Sequence, residues 1–244
     1  MNATQKPASS LRTIGLIGGM SWESTVPYYQ TINRVVGDRL GGLHSAKIAL
    51  YSVDFHEIEV LQREGRWDES GDALAEAARA VRRAGADVIV LCTNTMHKVA
   101  PQIEAAVDVP LLHIADATAG RVKAGGVTRV GLLGTKFTME EDFYRGRLEQ
   151  RHGLTVLTPP VEQRNLVHQV IYRELCLGRV NASSRDAYRE VVAGLVAEGA
   201  QGIILGCTEI GLLLRPEDAA VPVFDTAAIH AEAAARWALG DADA

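Results

Sequence analysis

Long apolar runs, basic charge and cysteine are what this sequence has least of. None of its apolar runs approaches the ~18–20 residues of a membrane span, which argues against a bilayer as partner. The first ten residues, Met1 to Ser10, are polar and lack the apolar core of a signal peptide, so a loose tail is expected. The 25 Lys and Arg are outnumbered by 30 Asp and Glu, for a net charge of −5. No basic patch stands out, which argues against a nucleic-acid partner. Three cysteines are too few for a disulfide framework, so reduced thiols and a cytoplasmic location are expected. No C-x-x-C or H-E-x-x-H pattern occurs, so no metal is expected. The Gly15, Gly18 and Gly19 cluster does not fit G-x-G-x-x-G, so no dinucleotide cofactor is expected either.

What the chain does have is alternation. "TIGLIG" (Thr13 to Gly18) reads as a buried strand. A helix should follow, with Ser24 as its cap and Pro27 in its first turn, where a missing N–H costs nothing. "KIALYSV" (Lys47 to Val53) is a second strand, and the Ala-rich "GDALAEAARAVRRAG" is a helix closed by Gly85. "ADVIVL" and "VPLLHI" are further strands, with a helix after Cys92 between them. Such order predicts an α/β protein with a mainly parallel sheet.

The pattern then begins again. "TIGLIGGM" returns as "RVGLLGTK", "GADVIVLCTNT" as "GAQGIILGCTEI", and "VPLLHIADATA" as "VPVFDTAAIHA". Gly15 and Gly131 are 116 residues apart, Cys92 and Cys207 are 115, and Pro110 and Pro222 are 112. Three pairs in one order at nearly one spacing predict two similar Rossmann-like α/β halves with parallel four-stranded sheets, related by a pseudo-twofold axis. The expected division is residues 1–118 with a returning C-terminal helix in 225–244, against residues 119–224.

Each half sets a cysteine where a strand ends, in "VLCTNT" and "LGCTE". A lone cysteine there is usually a packing residue. A repeated one with a polar collar is not, because ligands bind beyond the carboxyl ends of such strands. If the halves face each other, Cys92 and Cys207 look into one cleft from opposite sides. Racemisation at a carbon acid needs that arrangement: one thiolate removes the α-proton and the other thiol replaces it on the opposite face. A thiol of ordinary pKa is only about 3% ionised at pH 7, and a following helix N-terminus would favour the thiolate. Two positioned thiols would stand roughly 6–7 Å apart, too far for a disulfide. Proton transfer contributes ~10²–10⁴-fold, so aimed donors must stabilise the carbanion. Thr93, Asn94, Thr95, Thr135 and Thr208 are suitable donors, as are the amides of Gly18 to Ser21. Glu209 could hold the α-ammonium or assist the thiol. Cys176 has neither collar nor counterpart and reads as packing. His97 and His113 read as structural histidines.

The motifs "IGLIGGMSWEST", "LGGLHSA", "SVDFHEIE", "LCTNTMHKVA", "LHIADAT", "TMEEDFYRGRL", "GCTEIGLL" and "VFDTAAIHA" carry a family resemblance from about Thr13 to Trp237. The chain resembles the aspartate/glutamate racemase family of pyridoxal-phosphate-independent amino acid racemases, its bacterial broad-specificity members above all. That resemblance implies a site between two α/β domains, no cofactor, a free amino acid as substrate and assembly as a homodimer. It matches Cys92 and Cys207 to the family's catalytic cysteines, Thr93, Asn94 and Thr95 to its carboxylate-binding segment, and Met20 and Gln62 to further substrate contacts. For a distal carboxylate only Lys136 and Arg164 stand as candidates. The alternatives are a related isomerase, decarboxylase or hydantoin racemase on the same scaffold, and a module that binds an amino acid without turning it over.

Overall fold

A computed structural model describes residues 11–241; the expected tail of Met1 to Ser10 lies outside the described residues. The first half runs β1 (Thr13–Gly18), α1 (Trp22–Leu40), β2 (Lys47–Ser52), α2 (Phe55–Arg63), α3 (Trp67–Arg83), β3 (Val88–Leu91), α4 (Ala100–Ala105), β4 (Leu111–Leu112) and α5 (Ile114–Ala124). The second runs β5 (Arg129–Gly134), α6 (Lys136–Glu140), β6 (Thr155–Leu157), α7 (Val161–Arg173), α8 (Ala182–Ala197), β7 (Gly202–Gly206), α9 (Ile210–Leu213), β8 (Val223–Asp225) and α10 (Thr226–Leu239). The strands form two four-stranded sheets, ordered β2-β1-β3-β4 and β6-β5-β7-β8, and every pairing is parallel. The internal repeat of the sequence is thus a repeat of the fold, strand for strand.

Alternation along the strands builds the core. On one face of the first sheet, Ile14, Leu16, Val88 and Val90 pack with Tyr28, Ile32 and Val36 of α1 and a run of alanines from α10. On the other face, Ile17, Ile89 and Leu91 pack with Leu74, Ala78 and Val81 of α3 and Ile103 of α4. A third cluster fills the second half. Helix α10 leaves the second sheet through β8 and lies on α1. Its alanines keep that approach close. Cys92 continues the alternation of Val88 and Val90 and joins the α1/α10 cluster.

Three local expectations shift. Helix α1 starts at Trp22, two residues before Ser24, with Ser21 in extended backbone ahead of it. The hydroxyls of Ser24 and Thr25 donate back to the Ser21 carbonyl from inside the first turns, and Pro27 lies within the helix. Helix α3 begins at Trp67, because its buried stripe extends back through Ser70. After Cys92 the chain first makes a 3-10 turn, Thr95–Val99, and only then α4. Pro101 explains the break, since it has no N–H to continue a helix from before it and is accommodated in the first turn of α4. Among the described residues, no helix is long and apolar enough to cross a membrane.

Candidate active site

The loops after β1, β3, β5 and β7 meet between the sheets. Hydrogen bonds across the halves fix the meeting. Ser21, just beyond β1, donates its backbone N–H and its hydroxyl to Glu209 Oε1, both at 2.9 Å. Asn94 Nδ2 donates to Thr226 Oγ1 (2.9 Å), whose hydroxyl donates to the Leu205 carbonyl (2.7 Å). The Thr95 and Thr135 hydroxyls are 2.9 Å apart. Thr135 also caps α6 by accepting from the Thr138 N–H.

Between these contacts lies a small cavity, with room as it stands for about one water molecule. Its polar wall carries Gln62, Thr93, Asn94, Thr95, Thr135 and Glu209. Met20 and Cys207 complete the set of predicted residues that line it. Phe55, Ile171, Tyr172 and Cys176 also line it, and sequence reasoning missed them in this role. Cys176 does pack against the second core as expected, but it faces the cavity too. Nothing in its sequence surroundings signals that position.

Glu209 is the electrostatic centre. It is 2% exposed, and all its partners are donors: Ser21 twice on Oε1, and on Oε2 the Cys207 thiol and the Thr208 hydroxyl, each at 2.9 Å. Four donors and no acceptor match an ionised carboxylate. Thr208 also lies 2.9 Å from the Ser24 hydroxyl, so it backs Glu209 from behind and does not line the cavity. Burial first, then the negative charge of Glu209, pushes the Cys207 thiol well above its usual range. At rest Cys207 is therefore a neutral thiol aimed at a carboxylate.

Cys92 is placed differently from the expectation. It is fully buried, its thiol points back toward the Val90 carbonyl at 3.7 Å, and it does not line the cavity. Burial alone pushes its thiol up as well. The expected helix termini do not lower either thiol, because a 3-10 turn follows Cys92 and α9 has only four residues. Two factors thus win over the dipole: desolvation at both sites and the Glu209 charge at Cys207. All three cysteines are free thiols.

The collar behind Cys92 is held by histidine. His97 Nδ1 lies 2.7 Å from the Thr93 carbonyl, and His97 Nε2 accepts from the Ile114 N–H. Those partners assign the proton to Nδ1 and make His97 a neutral strut, as the sequence suggested. Asn94 has one atom without a partner: its buried Oδ1 is unsatisfied. A lone buried acceptor in a cavity wall is a place for a ligand's N–H. The candidate cations for a distal carboxylate are absent from the wall. Arg164 donates to Glu140 and to the Pro159 carbonyl, and Lys136 does not line the cavity. Among the described residues, no group of three or more His, Cys, Asp or Glu is placed to hold a metal ion.

A family model for Asp/Glu/hydantoin racemases matches residues 17–234, nearly the whole length described. The chain belongs to the Asp/Glu/hydantoin racemase family. Its class of chemistry is therefore that of an isomerase. The chain is 61% identical to a Yersinia pestis protein whose crystal structure is described as a candidate Asp/Glu racemase. That match has a TM-score of 0.87 and covers 93% of this chain and 99% of the other. An aspartate racemase homologue from Pyrococcus horikoshii is 35% identical, with a TM-score of 0.79 over the same shares. By sequence the chain is also 25% identical to the broad-specificity amino-acid racemase of Bacillus subtilis, across 90% of this chain and 95% of that one.

Proposed function

We propose that this protein interconverts the L and D forms of a free amino acid by moving a proton at the α-carbon, using its own side chains without pyridoxal phosphate or metal. The observation that carries this reading is the Cys207–Glu209 pair opening on a cavity whose far wall is the Thr93–Asn94–Thr95 collar of the other half. The hydroxyls and amides of the collar and of Thr135 receive the substrate carboxylate, where charge builds as the α-proton leaves. Each such donor is worth about 10²–10³ in rate when preorganised. The unpartnered Asn94 Oδ1 receives the α-ammonium. Cys207 works on one face of the α-carbon, with Glu209 Oε2 in position to take or return its thiol proton over 2.9 Å. Cys92 works on the other face. A turn about its Cα–Cβ bond, with a slight opening of the halves, carries its thiol from the apolar cluster to the cavity.

The retracted position of Cys92 favours a second reading, a one-cysteine reaction such as decarboxylation in which Cys207 alone delivers the proton. One experiment separates the two. Single enantiomers of a broad amino acid panel are incubated in D₂O, and both α-hydrogen exchange and optical inversion are followed. Racemisation is expected, and Cys92→Ser and Cys207→Ser should each lower it by at least about 100-fold while sparing exchange from one enantiomer. If Cys92→Ser keeps full activity, the one-cysteine reading stands. Absence of exchange across the panel would sink the racemase reading altogether.

A further inference from the structure

The part of the cavity wall that binds no polar atom has a chemistry of its own. Phe55, at the start of α2, and Tyr172, on α7, stack across the two halves with ring centroids 6.3 Å apart and planes 19° from parallel. Ile171 and Met20 line the same cavity. The Tyr172 hydroxyl donates to Gln62 Oε1 at 2.8 Å, and Gln62 Nε2 points at Met96 Sδ at 2.8 Å. Both ends of the Gln62 amide are therefore engaged within the wall.

Among the described residues, no lysine or arginine lines this cavity, and its one carboxyl is Glu209, already surrounded by donors. Three of the cations nearby in the fold, Lys98, Arg164 and Arg63, are committed to ion pairs. Lys98 is paired with Glu141 at 2.5 Å and sits over the Trp67 ring, and Arg164 holds Glu140. Arg63 and Arg173 line a separate outer hollow, which shares only Gln62 and Tyr172 with the cavity, and Arg63 is paired with Glu59. A second carboxylate brought in on a substrate side chain would be desolvated without a counter-charge, in a cavity that already holds a negative one. An uncharged side chain meets two rings, an isoleucine and a methionine. Burying an unpaired charge is far more costly than burying a neutral polar group.

We propose that Phe55, Ile171 and Tyr172 form the pocket for the substrate's side chain, and that this pocket selects uncharged amino acids against aspartate and glutamate. The proposal rests on the racemase reading above. Its chemical content is a charge filter: the α-carboxylate is the one anionic group the cavity is built to receive. Tyr172 then has two tasks, as a wall of the pocket and, through Gln62, as a tie between the halves beside it.

Glutamine and glutamate are close to isosteric and differ in charge, so they isolate the filter. The test measures kcat/KM for α-hydrogen exchange in D₂O with both, together with methionine and leucine, on the full-length protein. Glutamine should exceed glutamate by at least about 100-fold, with methionine and leucine also ahead of glutamate. Phe55→Arg adds a cation at the rim of the pocket and should raise the glutamate-to-glutamine ratio by at least about tenfold. Tyr172→Phe keeps the ring and removes the tie to Gln62, and should leave the wild-type preference for glutamine in place. Circular dichroism and thermal melts of each variant accompany the kinetics. Should Phe55→Arg fail to fold, the wild-type ratio alone decides. Glutamate equal to or better than glutamine in the wild type would overturn the charge filter while leaving the racemase reading intact. A folded Phe55→Arg with an unchanged ratio would overturn the assignment of the pocket. Loss of exchange with every amino acid would overturn the racemase reading, and this proposal with it.

Discussion

Glu209 concentrates more of the site in one side chain than any other residue. Its carboxylate joins the end of β1 to the end of β7 through Ser21, and it faces the Cys207 thiol. Glu209→Gln keeps the shape but replaces one acceptor oxygen with an N–H₂ donor. Whichever way the amide turns, some donor loses its acceptor: Ser21 on one side, or Cys207 and Thr208 on the other. The expected cost is about 1–3 kcal/mol of stability, read by urea unfolding. The rate of α-hydrogen exchange in D₂O should fall ~10²–10⁴-fold, and unequally for the two enantiomers, because of the two paired cysteines only Cys207 touches the carboxylate. An equal loss of exchange from both enantiomers would argue that Glu209 only props the loop. At this scale the sequence was legible where residues repeat. Cys207, Glu209 and the Thr-Asn-Thr collar announce themselves through their counterparts. Phe55 and Tyr172 do not, and neither does the partner of the Ser21 amide, since Ser21 meets Glu209 across 188 positions and Tyr172 meets Gln62 across 110. No local pattern records such a meeting.

Among the elements, the turn between β1 and α1 is the most constrained. Gly19 has φ +91°, in the region that favours glycine, and a Cβ there would run into the Val53 backbone and the Ser52 side chain. Its N–H donates to the Thr25 hydroxyl at 2.9 Å, which fixes how Met20 and Ser21 enter the site. Gly19→Ala should therefore lower stability by about 1–3 kcal/mol and displace the two donors that Ser21 gives to Glu209. Racemisation should drop with it, and equilibrium unfolding together with exchange kinetics checks both. A variant as stable and active as the wild type would show that the turn has room the close contacts deny. The elements themselves were readable from apolar periodicity, and the repeat doubled the signal. Their ends were not. The start of α1 depends on Ser24 and Thr25 bonding back to Ser21, and the delay of α4 depends on Pro101. Both are contests between neighbours that a strand-and-helix pattern does not score.

Across the whole molecule, three histidines make the fold sensitive to acid. His97, His113 and His230 form a row of rings, with centroids 4.4 Å apart between the first two and 6.0 Å between His97 and His230. Burial is the leading cause that lowers all three, His97 well below its usual value, His113 to about 3 and His230 to about 4. His230 also accepts from the Tyr28 hydroxyl through Nδ1 and donates to the Leu112 carbonyl through Nε2, so it is neutral as built. In the unfolded chain each would titrate near ~6.5. Between that value and the depressed folded ones, the unfolded chain binds protons that the fold refuses, so stability falls as pH falls. The loss should be about 1.4 kcal/mol per pH unit for each group, beginning below ~6.5 and ending near pH 4 for His230 and near pH 3 for His113. Urea unfolding at pH 7, 6 and 5 reads this slope, and flat stability over that range would show that these rings accept protons in the fold.

The sequence by itself determined the class of fold, its duplication and a cysteine at the end of a strand in each half. Those properties are written in local periodicity and in a repeat, which need no knowledge of what packs on what. Only the tertiary structure decided what the cysteines face. The strand alternation that makes Cys92 the successor of Val90 turns its thiol into the α1/α10 core, while Cys207 is drawn to Glu209. Two sites similar in sequence thus become unequal in environment, because a carboxylate two residues past Cys207 accepts its thiol, while the Cys92 thiol turns back toward the Val90 carbonyl. The cavity's lack of a cation is likewise a property of assembly: among the described residues no lysine or arginine reaches its wall.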